Sequence, residues 1–120
     1  MFKQFKNNNI EVNRGDSFTI VFPINLGSPV FPDYYALQEN DKVYLGIMEP
    51  HHPFELAIVR KMFDASNQEG CIMKMEFKPT DTEFLMPGRY YYSIKLVRAL
   101  EDDKEEVLTL LPNTKFDIFD

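Results

Sequence analysis

The sequence predicts an all-β protein, an antiparallel β-sandwich of about seven to nine short strands. Three observations lead there. Several segments alternate apolar and polar residues with a period of two, which places one face of a strand in a core and the other in water. The clearest is Cys71, Met73, Met75 and Phe77 set against Ile72, Lys74, Glu76 and Lys78. Turn-forming residues separate these segments at intervals of about 8 to 14 residues, the rhythm of a sandwich. No stretch sustains a helical period.

At 120 residues the chain makes one domain that buries about two-thirds of its unfolded surface. We divide it into an N-terminal arm, residues 1–9, and a single sandwich domain, residues 10–120. Eleven Phe, six Tyr, no Trp and 44% hydrophobic residues are the make-up of a folded globular chain. A net charge of −6 argues against nucleic acid as a partner, because phosphate binding needs a basic face. The single cysteine, Cys71, excludes an internal disulfide and multi-cysteine zinc chemistry. In its alternating run it reads as a buried, inert thiol, and a chain without disulfides suits assembly in a reducing cytoplasm. Residues 1–9 carry no apolar stretch of the signal-peptide kind, and no run reaches the length of a membrane span.

In the arm, Phe2 and Phe5 are out of place for a solvated tail, so residues 1–9 read as a flexible arm or an edge segment that docks on a neighbour. Ile10-Glu11-Val12 starts a strand and Asn13-Arg14-Gly15-Asp16 turns the chain. The Arg-Gly-Asp tripeptide matches a cell-adhesion motif, but turn chemistry already accounts for it. Ser17 to Ile24 is a strand with Phe18, Ile20, Phe22 and Ile24 on one face. Asn25 to Asp41 is the longest irregular segment and carries Phe31, Tyr34 and Tyr35. It reads either as a crossing between two sheets, its aromatics plugging the sandwich end, or as a binding loop.

Lys42 to Glu49 is a strand with Val43, Leu45 and Ile47 inward and Tyr44 and Met48 opposite. Pro50-His51-His52-Pro53 breaks it; adjacent histidines diverge in extended chain, which makes a loop of them and not a metal site. Phe54 to Phe63 reads as a strand with Leu56, Ile58 and Met62 on one side and Ala57, Val59 and Lys61 on the other. After the Cys71–Phe77 strand, Thr80 followed by Glu83 predicts an N-cap and one helical turn carrying Phe84 and Leu85. Pro87-Gly88 then resets the backbone for a strand whose Tyr90, Tyr92, Ile94 and Leu96 share a face. Glu101 to Glu106 is a solvated hairpin tip without the glycine and spacing of a calcium loop. Val107–Leu111 and Lys115–Phe119 read as two short strands around Pro112-Asn113.

Catalytic chemistry finds no foothold in the sequence. There is no glycine-rich phosphate loop, no His-Glu-x-x-His and no Gly-x-Ser-x-Gly elbow. The carboxylates sit at turns and outward strand positions. We therefore expect a non-enzymatic chain with no catalytic residue, no cofactor and no metal.

Two stretches carry a resemblance. One is Asn13-Arg14-Gly15-Asp16-Ser17-Phe18-Thr19-Ile20. The other runs through Thr80-Asp81-Thr82, Leu85, Pro87-Gly88-Arg89-Tyr90-Tyr91-Tyr92-Ser93-Ile94-Lys95-Leu96, Val107-Leu108-Thr109-Leu110-Leu111 and Lys115-Phe116-Asp117-Ile118. Together they resemble the small Ig-like β-sandwich modules of tailed-bacteriophage virion proteins, such as the baseplate upper protein N-terminal domain and related tail and head-fibre modules. A tyrosine just after a corner is similar to the tyrosine corner of immunoglobulin-like sandwiches, whose hydroxyl returns to upstream backbone. Two departures are that Asn113 stands where the family often has glycine, and that many members continue into a fibre region. The resemblance implies a virion structural protein, assembled in the host cytoplasm, that docks on other virion proteins in a homo-oligomer or symmetric assembly. Interface candidates are Phe2, Phe5, Phe31, Tyr34, Tyr35, Tyr44 and Tyr91, which could equally cap the sandwich ends. The alternative reading is a glycan-binding or host-adhesion module, with aromatic loops stacking on sugars.

Overall fold

The computed structural model describes all 120 residues. Nine strands run in chain order as β1 (Phe2–Gln4), β2 (Ile10–Asn13), β3 (Phe18–Pro23), β4 (Lys42–Met48), β5 (Val59–Phe63), β6 (Gln68–Glu69), β7 (Ile72–Phe77), β8 (Gly88–Ala99) and β9 (Glu105–Phe119). The one α-helical turn is α1 (Pro79–Thr82). Six strands form a large sheet in the order β1-β2-β9-β8-β4-β5, and three form a small one, β3-β7-β6. No helix is long and apolar enough to cross a membrane.

The alternating segments behave as their period dictates. β3 turns Phe18, Ile20 and Phe22 inward, and β7 turns in Met73, Met75 and Phe77. Across from them the large sheet supplies Val43, Leu45 and Ile47 from β4 and Tyr92, Ile94 and Leu96 from β8. These two triplets share a face because Val43 pairs with Leu96, Leu45 with Ile94 and Ile47 with Tyr92. One core cluster results, closed at its β2-β9 side by Ile10, Val12, Phe116 and Ile118. Phe18 is its aromatic hinge: its ring stacks on Phe2 at 5.0 Å and on Phe77 at 4.6 Å, and tilts against Phe116 at 6.1 Å.

The expected all-antiparallel arrangement needs correction. β2 pairs parallel with β9, Ile10 beside Phe116 and Val12 beside Ile118, so the large sheet is mixed. A parallel pair needs a long crossover, and here nearly the whole chain lies between the two strands. The two expected C-terminal strands are one, β9, which pairs with β8 throughout. The extra residues around Pro112-Asn113 are absorbed as register shifts opposite Tyr92–Lys95. Proline has no N–H for a ladder, and a bulge is where a central strand tolerates it.

Four further details differ from expectation. Phe54 to Leu56 is a 3-10 turn, not strand, and β5 begins only at Val59. It turns Val59 and Phe63 inward and leaves Met62 and Ile58 exposed. Gly46 explains the turn: a Cβ there would stand 2.7 Å from the Phe54 ring, so the bare backbone lets the 49–58 connection fold onto the outer face of β4. Met48, expected to face outward, is fully buried at this covered end. Cys71 is half-buried, just ahead of β7. The helical turn starts one residue after Lys78, with Pro79 at its first position. The capping carboxylate is that of Asp81, which accepts from the Lys78 N–H at 2.7 Å.

Residues 1–9 are an edge segment. Phe2–Gln4 pairs with β2, and the Gln4 side-chain amide reaches across to the small sheet. It donates to the Val21 carbonyl at 2.7 Å and accepts from the Val21 N–H at 3.1 Å. A primary amide offers the same donor and acceptor as a peptide, so Gln4 pairs part of the open edge of β3 as a strand would. Tyr92, fully buried, donates its hydroxyl to the Asn8 carbonyl at 2.6 Å and pins the arm from beneath. Lys61, on the inward face of β5, ties the sheets together elsewhere. Its ammonium donates to Asp81 at 2.6 Å and to the Glu76 carbonyl at 2.7 Å, and lies 4.7 Å from the Phe77 ring centre.

Candidate interaction surface

Asn25 to Asp41 connects the small sheet to the large one, as a crossing should, but its first part is more ordered than a plain connection. Leu26 donates to the Asp33 carbonyl at 2.8 Å, and Tyr35 to the Ile24 carbonyl at 3.0 Å. Asn25 pairs with Tyr34 as a bridge. Inside this short ladder the Asn25 side-chain oxygen accepts from Gly27 and Asp33, at 2.9 and 2.8 Å. The Ser28 hydroxyl accepts from Phe31 at 2.9 Å. Asx and serine turns of this kind let side chains stand in for backbone partners. The loop thereby supplies hydrogen-bond partners for much of its own backbone.

What it presents is apolar. Pro29-Val30-Phe31-Pro32 forms the tip, with Val30 77% and Phe31 80% exposed. Prolines on both sides restrict the backbone before any partner arrives, which lowers the entropy lost on docking. Gly27 makes the tip possible, since a Cβ there would lie 2.3 Å from the Phe31 carbonyl oxygen and 2.8 Å from the Asp33 nitrogen. Both are backbone atoms and cannot swing aside. Gly27→Ala should therefore open the loop at a cost of about 1–3 kcal/mol. Hydrogen exchange checks it: the Leu26 and Ser28 amides should lose protection while β4 and β8 keep theirs.

The interface candidates fall into three groups. Phe2 and Tyr35 are committed within the fold. Phe2 stacks on Phe18. Tyr35 donates to Asp41 beneath the Arg98 guanidinium, which lies 4.8 Å from its ring centre. Burial, then the Asp41 carboxylate, raises the Tyr35 hydroxyl above its usual pKa. It is Tyr35 that plugs the end of the sandwich. Phe31 and Tyr34 project from the loop, and Phe5 is exposed beside the arm. Tyr44 and Tyr91 are half-buried on the outer face of the large sheet, opposite Met62 and Met48 in register.

That outer face also carries a row of charges set by register: Glu11 beside Asp117, and Asp117 beside Arg89. Arg89 donates two bonds to Asp117, at 2.9 and 3.0 Å, and the carboxylate raises the guanidinium's pKa. Phe5, Lys6 and Lys115 join them around an open groove of about 530 Å³. Sequence reading passed over this groove, because the β8-β9 register sets Arg89 near Lys115 and only the β2-β9 pairing brings Lys6 to them. It passed over Val30 as well, although two apolar residues between prolines in a turn segment were a readable signal.

Tyr90 donates its hydroxyl to the Met86 carbonyl, four residues upstream, at 2.8 Å. Comparison with family models, with curated proteins and with solved structures returns no match. The surface has to speak for itself. His52 lies 3.7 Å from Glu49 in the 49–58 connection, and no three potential metal-ligating His, Cys, Asp or Glu side chains gather anywhere. Arg14 is bonded to Asp120 and Asp16 to the Met1 amino group, so both charged ends of the Arg-Gly-Asp turn are engaged within the chain.

Proposed function

We propose that this chain is a non-enzymatic structural module of a bacteriophage virion, an Ig-like β-sandwich that joins tail, baseplate, head-fibre or capsid components by docking. The observation that carries the docking reading is the long crossing loop with its apolar tip. Val30 and Phe31 stand exposed side by side between two prolines on a hydrogen-bonded loop; a partner pocket would give that ring its burial. The virion assignment draws on the resemblance of the Asn13–Ile20 and Thr80–Ile118 stretches to phage modules. The Tyr90 hydroxyl bond to Met86, which has the form of a tyrosine corner, supports the Ig-like reading.

Composition weighs against the glycan alternative: the chain has no Trp, the largest aromatic platform for stacking on a sugar face. The test is density-gradient fractionation of a lysate from the source, with mass-spectrometric readout. Comigration of the native chain with assembled particles is expected. A free monomer in every soluble fraction would end the virion reading.

A further inference from the structure

Two exposed surfaces of the folded chain, the loop tip and the groove, have complementary chemistry. The loop tip is apolar and sits in an acidic segment: from Asn25 to Asp41 the chain carries Asp33, Glu39 and Asp41 but no Lys or Arg. The groove is aromatic at Phe5 and locally basic. Lys6, Arg89 and Lys115 outnumber Glu11 and Asp117 there, on a chain whose net charge is −6. Arg89 is occupied by Asp117, whereas Lys6 and Lys115 have no ion-pair partner within 4 Å. Phe31, 80% exposed, does not fill its own chain's groove.

We propose that the groove receives the loop tip of a second copy, so that the chain assembles head to tail. The Phe31 ring seats against Phe5, and Asp33 faces Lys6 and Lys115. Aromatic pairs in offset or edge contact favour such a seat, and opposite charge at the rim selects the partner and speeds encounter. Tip and groove are different surfaces, so the contact is heterologous: each added copy leaves one tip and one groove free, and the assembly closes into a ring or grows as a filament. A membrane fits the tip poorly, because no Lys or Arg lies in the loop to meet anionic headgroups. The inference rests on the docking reading of the loop and is independent of whether the assembly belongs to a virion.

Analytical ultracentrifugation of the purified chain over a range of concentrations tests it. The wild-type mass should rise with concentration, and Phe31→Asp and Lys115→Glu should each weaken association by about tenfold or more. Both residues are exposed, so the variants should keep the wild-type circular dichroism and thermal midpoint. The decisive sample mixes them in equal amounts. Phe31→Asp retains a groove and Lys115→Glu retains a tip, so the mixture should give a dimer that grows no further. A monomeric wild type, single variants that associate as well as wild type, or a mixture that stays monomeric would each overturn the proposal. Comigration with particles by a monomeric chain would do so too, while leaving the docking reading in place.

Discussion

Phe18→Ala is expected to destabilise the protein by about 3–5 kcal/mol, the range for an aromatic ring removed from a packed core. Its ring touches three aromatic partners on three strands: Phe2 on β1, Phe77 on β7 and Phe116 on β9. Truncation leaves a cavity where the two sheets meet the arm, and each lost aromatic contact adds about 0.5–1.5 kcal/mol to what area alone predicts. The loss should be shared with Phe2→Ala, so the double variant should cost less than the sum of the singles. Urea unfolding followed by tyrosine fluorescence measures all three. Phe84→Ala is the control: its side chain is 61% exposed, and the change should stay within about 0.5 kcal/mol. Equal effects at Phe18 and Phe84 would contradict the core described above.

The second large effect is expected at Asp41. This carboxylate is 1% exposed and anchors the end of the long crossing loop. It accepts from the Tyr35 hydroxyl, from the Gln38 N–H at 2.9 Å and from the Ala99 N–H at 3.1 Å. Asp41→Ala strands all three donors. Each stranded buried donor costs roughly 1–3 kcal/mol, and access of water to Tyr35 and Gln38 trims the total to about 3 kcal/mol. The effect carries a pH signature. Burial pushes the Asp41 carboxyl up, but the bonds from Tyr35, Gln38 and Ala99 and the nearby Arg98 charge outweigh it, so the carboxyl sits below its usual pKa. A group depressed in the folded state adds stability above its unfolded value, about 3.9 for aspartate. That stability disappears as pH falls through the folded value. The gap in urea midpoint between wild type and Asp41→Ala should hold steady from neutral pH down to about pH 5 and narrow below about pH 4. Asp64, Glu69 and Asp81 are also depressed, but both proteins contain them and the difference removes them.

Much of the sandwich was legible because its strands obey a single period. The faces of β3, β7 and β8 followed from alternation alone, since a half-buried strand has to write its burial into every second residue. What escaped is non-local. Nothing in Ile10-Glu11-Val12 says that its neighbour is Phe116-Asp117-Ile118, and so the parallel pairing stayed hidden, and with it the groove that Lys6, Arg89 and Lys115 share. Phe54 to Phe63 was misjudged for a different reason: its β-branched and apolar residues suit a strand, but the vacancy above Gly46 draws Phe54 onto the sheet face. Alternation placed Lys61 on the face of Val59, but not the bridge that its ammonium makes between the sheets over Phe77. At the candidate surface, the exposed aromatics were readable as unusual. Which of them the fold consumes (Phe2 and Tyr35) and which it leaves free (Phe31 and Tyr34) depended on tertiary neighbours.

The parallel seam between β2 and β9 has a consequence for how the protein is made. A ribosome delivers Ile10 and Val12 well before their partners Phe116 and Ile118. Until those emerge, β2 and the β1 strand hung on it have no sheet to join, and the Gln4 amide has no fixed position from which to guard the edge of β3. The large sheet therefore completes only after β9 has been synthesised, with a loop closure of high contact order as its final step. During that interval the nascent chain shows its apolar N-terminal stripe and an unguarded strand edge to its surroundings, the state most open to pairing with another nascent copy.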